Sequence, residues 1–329
     1  MAYKFLMTAP TLGAAGQQVL TDAGCQVDYL VDSQDTSEVE RKMASTAYDA
    51  VISRTVTLSE QAIAACPSLK VICKHGVGVT NIDVNAATLR GIPVLTTPAT
   101  NAQSVAELTI GLMLAASRHL HFFQQEILQN RWTRSSVGGE LYGKRLGLVG
   151  FGEIGQRVAR IAQAIGMTVS FFDPGLPEDV QHPNITRLHR FDDLLPVSDV
   201  LSLHCPVNNA TREMLNQTAL AYLPERAVVI NTSRGELIDE AAFVAALRSG
   251  AVAAAGLDTF AVEPLPADHP FRSFDNLILT PHIGGSTQAA LDAVARSAAQ
   301  QCLTYLNEQT FASRACVNPD FKSNKELTS

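Results

Sequence analysis

Short apolar runs alternate with longer mixed stretches through the first hundred residues of this 329-residue chain. The apolar runs predict strands at residues 3–8, 26–31, 50–53, 71–74 and 93–95. The stretches between them predict helices at residues 12–22, 36–45, 59–65 and 84–89. Because strands and helices alternate, we expect a parallel sheet that is covered by helices on both faces.

A second alternating set of elements starts at Gly143 and ends near Pro281. Its six predicted strands are residues 145–149, 168–172, 200–203, 227–230, 254–257 and 277–279. Between the two sets, a helix around residues 108–114 is too apolar for one exposed face, so we expect it to be buried between domains or against another subunit. A helical stretch over residues 287–306 cannot form a domain alone and is expected to pack back on the first set.

One turn of the second set has the spacing of a nucleotide-binding motif. Its first strand is followed by Gly-Phe-Gly-Glu-Ile-Gly at residues 150–155, then by a predicted helix and a strand that ends at Asp173. Gly150 permits the tight turn, Gly152 lets the backbone approach a pyrophosphate, and Gly155 lets the helix pack closely. The helix N-terminus suits the phosphates, and Asp173 is placed to accept hydrogen bonds from the adenosine ribose.

Asp173 also favours NAD over NADP, because a carboxylate at this position repels a 2′-phosphate and residues 174–177 contain no Arg or Lys. The sequence therefore predicts an α/β fold with two doubly wound parallel-sheet domains, in which a Rossmann NAD-binding domain is inserted into a flavodoxin-like substrate domain. We expect the substrate domain at residues 1–100 and 287–319, the NAD-binding domain at 101–286, and a disordered tail at 320–329.

Composition and charge argue against several other classes of protein. A net charge of −7 gives no basic surface for nucleic acid or an acidic membrane. The chain contains no signal-peptide core and no apolar run of membrane-spanning length. The six cysteines are scattered without a C-x-x-C motif, so neither a zinc site nor a disulfide framework is expected. We expect a cytoplasmic protein with free thiols, no metal and a small-molecule ligand.

Three chemically useful side chains follow strands of the second set. Arg234, Glu263 and His282 come after its fourth, fifth and sixth predicted strands. Ligands of open α/β sheets bind beyond the carboxyl ends of the strands, so we expect these side chains on one edge, beside the nicotinamide.

These residue types suit hydride transfer to a 2-oxo acid. Arg234 can hold the substrate carboxylate and polarise the carbonyl group. His282 can donate a proton to the carbonyl oxygen, while Glu263 orients the ring and favours its protonated form. Each residue alone has an ordinary structural or surface interpretation, but together they predict an NAD-dependent oxidoreductase that interconverts a 2-hydroxy acid and its 2-oxo acid.

The sequence around these residues resembles the signatures of the D-isomer-specific 2-hydroxyacid dehydrogenases. The matching segments are Asn-Thr-Ser-Arg-Gly at 231–235, Asp-Thr-Phe-Ala-Val-Glu-Pro at 258–264 and Thr-Pro-His-Ile-Gly at 280–284. The resemblance covers nearly the whole chain. It implies that Arg234 binds substrate, that Glu263 supports the histidine, and that His282 is the acid and base of the reaction.

The same resemblance assigns the residues that contact ligands. Val77 and Gly78, in the loop at residues 75–83, would line the pocket for the substrate carboxylate. Thr80 departs from the family pattern, since many relatives carry Asp there, and this affects the fine geometry of the loop. The residues expected to contact NAD are Gly150, Gly152, Glu153, Ile154, Gly155, Asp173, Cys205, Thr232, Ser233, Asp258, His282, Gly284 and Gly285.

Within the family, the chain most resembles the phosphoglycerate dehydrogenases. Residues 132–134, Trp-Thr-Arg, resemble an element whose arginine reaches the active site of the partner subunit. Arg54 matches an arginine that can meet a phosphate. We therefore expect Arg54 and Arg134 to bind substrate, although both have the alternative of plain solvent exposure. A homodimer through residues 101–130 is also expected, because relatives pair through this region.

Two alternative functions stay open. A glyoxylate or hydroxypyruvate reductase shares the same catalytic machinery. An NADH-sensing corepressor, similar to the C-terminal-binding proteins, would use the fold as a switch and would also retain Arg234, Glu263 and His282. Turnover of hydroxypyruvate with NADH separates an enzyme from a corepressor.

Overall fold

The computed structural model describes residues 2–32, 34–178 and 182–321. The chain divides into two compact units, the first formed by Met1–Asn101 with Thr287–Ser329 and the second by Ala102–Ser286. The chain thus leaves the first unit after about a hundred residues and returns to it after completing the second.

The first unit contains a five-stranded parallel sheet in the order β2-β1-β3-β4-β5. Its strands are β1 (Lys4–Met7), β2 (Gln26–Tyr29), β3 (Ala50–Ser53), β4 (Val71–Lys74) and β5 (Val94–Leu95). Its first four helices are α1 (Ala14–Asp22), α2 (Thr36–Ser45), α3 (Glu60–Ala65) and α4 (Val84–Leu89). This strand order is that of the flavodoxin-like sheets, so the predicted fold of this unit is confirmed.

The second unit contains a seven-stranded parallel sheet in the order β12-β11-β10-β9-β6-β7-β8. Its strands are β6 (Arg145–Val149), β7 (Thr168–Phe172), β8 (Ile185–Arg187), β9 (Val200–Leu203), β10 (Ala227–Asn231), β11 (Val252–Leu257) and β12 (Leu277–Leu279). Its helices are α5 (Ala102–Ser117), α6 (Leu120–Leu128), α7 (Glu153–Ala164), α8 (Phe191–Leu194), α9 (Gln217–Tyr222) and α10 (Glu240–Ser249).

Counted from β8, the first six strands of this sheet have the Rossmann order, and β12 is a seventh strand at the other end of the order. This topology confirms the predicted fold. The prediction of six strands missed β8, because β8 has only three residues and no apolar run.

The last helix, α11 (Gln288–Glu308), belongs to the first unit. A Cβ atom on Gly16 of α1 would lie 2.6 Å from the main-chain oxygen of Ala295, so the two helices pack with almost no separation. Phe321 is 1% exposed and its ring lies 6.3 Å from that of Tyr305 on α11. The tail predicted from residue 320 therefore starts too early, and its residues 322–329 lie outside the described residues.

The apolar helix α5 is buried within its own unit. It packs on β10, β11 and α7, and it buries Ala106, Ile110 and Met113. Its composition is therefore explained largely without a second subunit, although Leu114 is 42% exposed. Over the part of the chain that the structure describes, no helix combines the length and apolarity needed to cross a bilayer.

A close approach fixes the start of the nucleotide loop. Gly150 has a φ of +93°, and a Cβ atom there would lie 2.7 Å from the main-chain carbonyl carbon of His204. The His204 Nε2 atom lies 2.9 Å from the Ser202 hydroxyl, while its Nδ1 is shielded from solvent and has no partner among the described residues. Burial lowers the pKa of His204 to about 4, so the ring is neutral at pH 7.

This buried ring makes stability depend on pH. The unfolded chain protonates His204 near pH ~6.5, whereas the folded chain resists until about pH 4. The folded state therefore loses stability as the pH falls from 6.5 through 4, by about 2 kcal/mol between pH 7 and pH 5. The free energy of unfolding of His204→Gln, measured with urea, should therefore fall by correspondingly less between these two pH values. His189→Gln, at an exposed histidine, should keep the wild-type difference. An unaltered difference in His204→Gln would contradict this account.

Candidate active site

The turn after β6 leaves room for a phosphate at the N-terminus of α7. Gly152 is the N-cap of this helix, and its Cβ position faces open space. A Cβ atom on Gly155 would lie 2.4 Å from the main-chain oxygen of Gly150, so only glycine lets the helix pack on the turn. Glu153 begins α7 and Ile154 packs against the core. Because the first N–H groups of a helix lack intrahelical partners, this arrangement fits the pyrophosphate of NAD.

Asp173 is held at the edge of the nucleotide loop. Its Oδ2 accepts a hydrogen bond from the Phe151 N–H at 2.7 Å, and its Oδ1 accepts one from the Gly175 N–H at 2.9 Å. This position suits the hydroxyls of a ribose. Arg187 on β8, which the sequence did not single out, donates at 2.7 to 3.1 Å to three main-chain oxygens, those of Asp173, Leu176 and Pro177. These bonds engage Arg187 in shaping the loop.

Thr232, Ser233 and Cys205 join the ends of β9 and β10. The Ser233 hydroxyl donates to the main-chain oxygen of Cys205 at 2.7 Å. The Thr232 hydroxyl lies 2.8 Å from the hydroxyl of Thr109 on α5. Burial raises the pKa of the Cys205 thiol to about 11, so this group is an uncharged thiol at neutral pH.

Buried Asp258 shapes the turn that carries His282. The Asp258 side chain accepts hydrogen bonds from the N–H groups of Ile283 at 2.9 Å and Gly284 at 2.8 Å, and from the Thr280 hydroxyl at 2.6 Å. The Asp258 main-chain oxygen accepts from the His282 N–H at 2.8 Å. These bonds hold His282 at a φ of +54°, a left-handed conformation that is uncommon for a non-glycine residue. Gly285 follows this turn and is half-buried.

Glu263 and His282 form a directly bonded pair. One carboxylate oxygen of Glu263 accepts from the Phe260 N–H at 3.0 Å, and the other lies 2.8 Å from Nδ1 of His282. An ionised carboxylate only accepts hydrogen bonds, so Nδ1 carries the proton and Nε2 can exchange a proton with a ligand. The His282 side chain is 48% exposed and that of Glu263 is 36% exposed, so the pair is accessible.

The loop of Arg234 packs directly on the loop of Glu263. Asn231 bridges this loop, because its side chain accepts from the Ser233 N–H at 3.0 Å and donates to the Arg234 main-chain oxygen at 2.8 Å. A Cβ atom on Gly235 would lie 1.9 Å from the carbonyl carbon of Phe260. The guanidinium of Arg234 is exposed.

Since β10, β11 and β12 are parallel neighbours, Arg234, Glu263 and His282 lie at the same edge of the sheet, as the sequence predicts. Among the described residues, no cluster of His, Cys, Asp or Glu could hold a metal ion.

In the first unit, a half-buried lysine stabilises the loop that contains Val77 and Gly78. The Lys74 ammonium group donates to the main-chain oxygen of Arg54 and to the side-chain oxygen of Asn81. Burial lowers the pKa of Lys74 to about 8. Val77 is 49% exposed, and Gly78 and Arg54 are half-buried. The roles of Lys74 and Asn81 could not be predicted from the sequence, because nothing in their local spacing signals this bridge.

Arg134 lies in a segment, residues 131–140, in which every residue is exposed. The side chains of Arg131 and Thr133 both donate to Glu126 on α6 and hold the pKa of that carboxyl well below its usual range. These bonds attach the start of the segment to α6. Trp132, between them, is 82% exposed.

Comparisons with known proteins show the family to which this chain is similar. The sequence profile described as D-isomer specific 2-hydroxyacid dehydrogenase, NAD binding domain, matches residues 110–284. A hydroxypyruvate reductase from Thermotoga maritima is 43% identical over 74% of this chain and 79% of its own length. A D-3-phosphoglycerate dehydrogenase from Methanocaldococcus jannaschii is 40% identical over 77% of this chain, which spans about half (49%) of that relative.

A solved structure of NAD⁺-bound 3-phosphoglycerate dehydrogenase from Entamoeba histolytica superposes with a TM-score of 0.80 at 26% identity, over 97% of this chain and 99% of that one. The family resemblance and the NAD assignment made from the sequence are thus confirmed. The chain belongs to the NAD-dependent D-isomer-specific 2-hydroxyacid dehydrogenases.

Proposed function

We propose that the protein interconverts D-3-phosphoglycerate and its 2-oxo acid, with His282 as the acid and base. The observation that carries the catalytic part of this proposal is the 2.8 Å contact between Nδ1 of His282 and the Glu263 carboxylate. It leaves Nε2 as the atom that exchanges the proton.

In the reducing direction, Nε2 of His282 donates a proton to the substrate carbonyl oxygen. The Glu263 carboxylate accepts the Nδ1 hydrogen bond of the doubly protonated ring that this step needs, and the transfer leaves a neutral ring with its proton on Nδ1. Arg234 binds the substrate carboxylate with its planar fork of donors. NADH, when bound, would supply the hydride. In the oxidising direction the neutral Nε2 accepts the hydroxyl proton.

The role of His282 predicts a large and specific loss of turnover. His282→Ala should lower kcat by roughly 10²- to 10⁴-fold, the usual contribution of general acid catalysis. NADH binding, followed by fluorescence titration, should survive because the nucleotide loop is unaltered. His189→Ala, at an exposed histidine of the same unit, should keep the wild-type kcat. Near-normal turnover in His282→Ala would show that another group moves the proton.

The proposal of a phosphorylated substrate is supported by two arginines. The Arg54 main chain is anchored by Lys74, beside the loop that we propose to bind the substrate carboxylate. Arg134 directly follows residues 131–133, where Arg131 and Thr133 are hydrogen-bonded to Glu126 on α6. The similarity to relatives named phosphoglycerate dehydrogenase supports a phosphorylated substrate. The 43% identity to a hydroxypyruvate reductase supports the alternative of a glyoxylate or hydroxypyruvate reductase.

We also propose a homodimer, and the exposed apolar side chains support it. Leu120, Ile127 and Leu128 on α6 are 54 to 66% exposed, and Trp132 follows them. A monomer would leave this apolar surface in water. The six free thiols suit a reducing compartment, so we propose a cytoplasmic location.

If Arg54 and Arg134 bind a phosphate, 3-phosphohydroxypyruvate should be reduced far better than hydroxypyruvate. Two charge-assisted hydrogen bonds of about 1.5–3 kcal/mol each give a preference of two or more decades in kcat/KM. Arg134→Ala should remove much of this preference and leave hydroxypyruvate turnover unaltered.

Light scattering should give a dimer mass at micromolar concentration, and Ile127→Glu, which places a charge on the exposed face of α6, should reduce this mass.

Equal kcat/KM for the two substrates in the wild type would reject the phosphoglycerate assignment. Turnover of neither substrate would instead favour the NADH-sensing corepressor.

A further inference from the structure

The loop that carries Glu263 is held at a second point by another carboxylate and another imidazole. Glu240, the first residue of α10, accepts a hydrogen bond from the Ala261 N–H at 3.2 Å through Oε1. Its Oε2 lies 3.1 Å from Nε2 of His269. The two side chains are only 26% and 16% exposed, so water competes weakly with these contacts.

His269 has one tautomer that fits its surroundings. The Phe271 N–H donates to Nδ1 at 3.3 Å, so Nδ1 is an acceptor and the proton lies on Nε2, facing Glu240. The His269 ring also packs edge-on against the Phe271 ring, with centroids 4.6 Å apart, and Phe271 is 1% exposed. The core thus fixes His269, and His269 fixes one oxygen of Glu240.

Glu240 and Glu263 hold successive peptide groups. Glu263 accepts from the N–H of Phe260, and Glu240 accepts from the N–H of Ala261. On the other side, Gly235 packs so closely on Phe260 that no side chain could fit between them. The two peptide groups share the Cα atom of Phe260, so a shift of the peptide between Phe260 and Ala261 would also move the Phe260 N–H, which is the donor that orients the Glu263 carboxylate.

We propose that Glu240 is a positioning residue for the reaction, anchored by His269, and that it holds this loop so that Glu263 meets Nδ1 of His282. The contacts of Glu240 are to Ala261 and His269, and its effect on the chemistry passes through Glu263. The inference rests on the proposed role of His282 as the proton donor.

The chain offers a matched control for Glu240. Asp199 also accepts one main-chain N–H, that of Arg145 at 2.9 Å, and pairs with one basic side chain, the guanidinium of Arg145 at 2.7 Å. Its side chain is 25% exposed, close to the 26% of Glu240. Asp199 precedes β9 and so lies at the opposite edge of the sheet. Loss of Asp199 should lower stability without touching the loop of Glu263.

The kinetic test is reduction of hydroxypyruvate with NADH, with rates normalised to the NADH-binding sites in each preparation. Glu240→Ala should lower kcat by roughly 10- to 100-fold, as expected when a reacting group is misplaced by about an ångström. Asp199→Ala should stay within about twofold of the wild type by the same reasoning. His269→Leu should behave like Glu240→Ala, whereas His269→Gln, which keeps an N–H donor for Glu240, should recover most of the activity.

A spectroscopic test does not depend on turnover. The test uses the NMR spectrum of ¹⁵N-histidine-labelled protein. The signal of the His282 Nδ1 proton is identified as the hydrogen-bonded imidazole signal that disappears in His282→Ala. We expect this signal in the wild type and in Asp199→Ala, and we expect exchange with water to broaden it in Glu240→Ala.

An intact His282 signal in Glu240→Ala would overturn the proposal. This holds if the normalised kcat of Glu240→Ala equals that of the wild type, and it holds equally if this kcat falls together with the kcat of Asp199→Ala. If the wild type reduces no 2-oxo acid, the proposed function fails, and the His282 signal still decides the role of Glu240.

Discussion

The geometry of the active site depends on the buried carboxylate of Asp258. An ionised group that is 1% exposed must be surrounded by donors, because burying its charge without them would cost several kcal/mol. The turn after β12 supplies these donors from Thr280, Ile283 and Gly284, and it can do so only by folding around Asp258. His282 lies inside this turn with a φ of +54°. The buried charge therefore sets the backbone from which the imidazole projects.

Glu263 then completes the placement of the ring from the neighbouring loop. Its carboxylate reaches His282 because the peptide after Phe260 is confined between Gly235 and the carboxylate of Glu240. Three loops that follow the parallel neighbours β10, β11 and β12 thus constrain one another. The protein itself thus fixes the orientation of His282, the acid that we propose, and such preorganisation is the general requirement for electrostatic and acid catalysis.

The sequence was sufficient for features that depend on local spacing. The glycine turn, Asp173 and the ends of successive parallel strands could all be located, because parallel strands place their carboxyl ends at one edge. Contacts between distant positions could not be predicted. Arg187 meets Asp173 across 14 residues, Lys74 meets Arg54 across 20, and Glu240 meets Ala261 across 21. Phe321 gave no signal either, because a lone aromatic residue in a polar tail shows no periodicity. The apolar α5 was a misleading sign of a dimer, since its own sheet buries it.

We propose that Glu263 keeps His282 ready to donate a proton, and the pH dependence of kcat/KM for hydroxypyruvate reduction tests this most directly. Reduction needs the protonated ring, so activity falls where the pH becomes high enough to remove that proton. Without the negative charge, Glu263→Gln should show this fall at a lower pH than the wild type, while Glu225→Gln, at an exposed carboxylate before β10, should not. If Glu263→Gln loses activity at the same pH as the wild type, Glu263 does not control the protonation of His282.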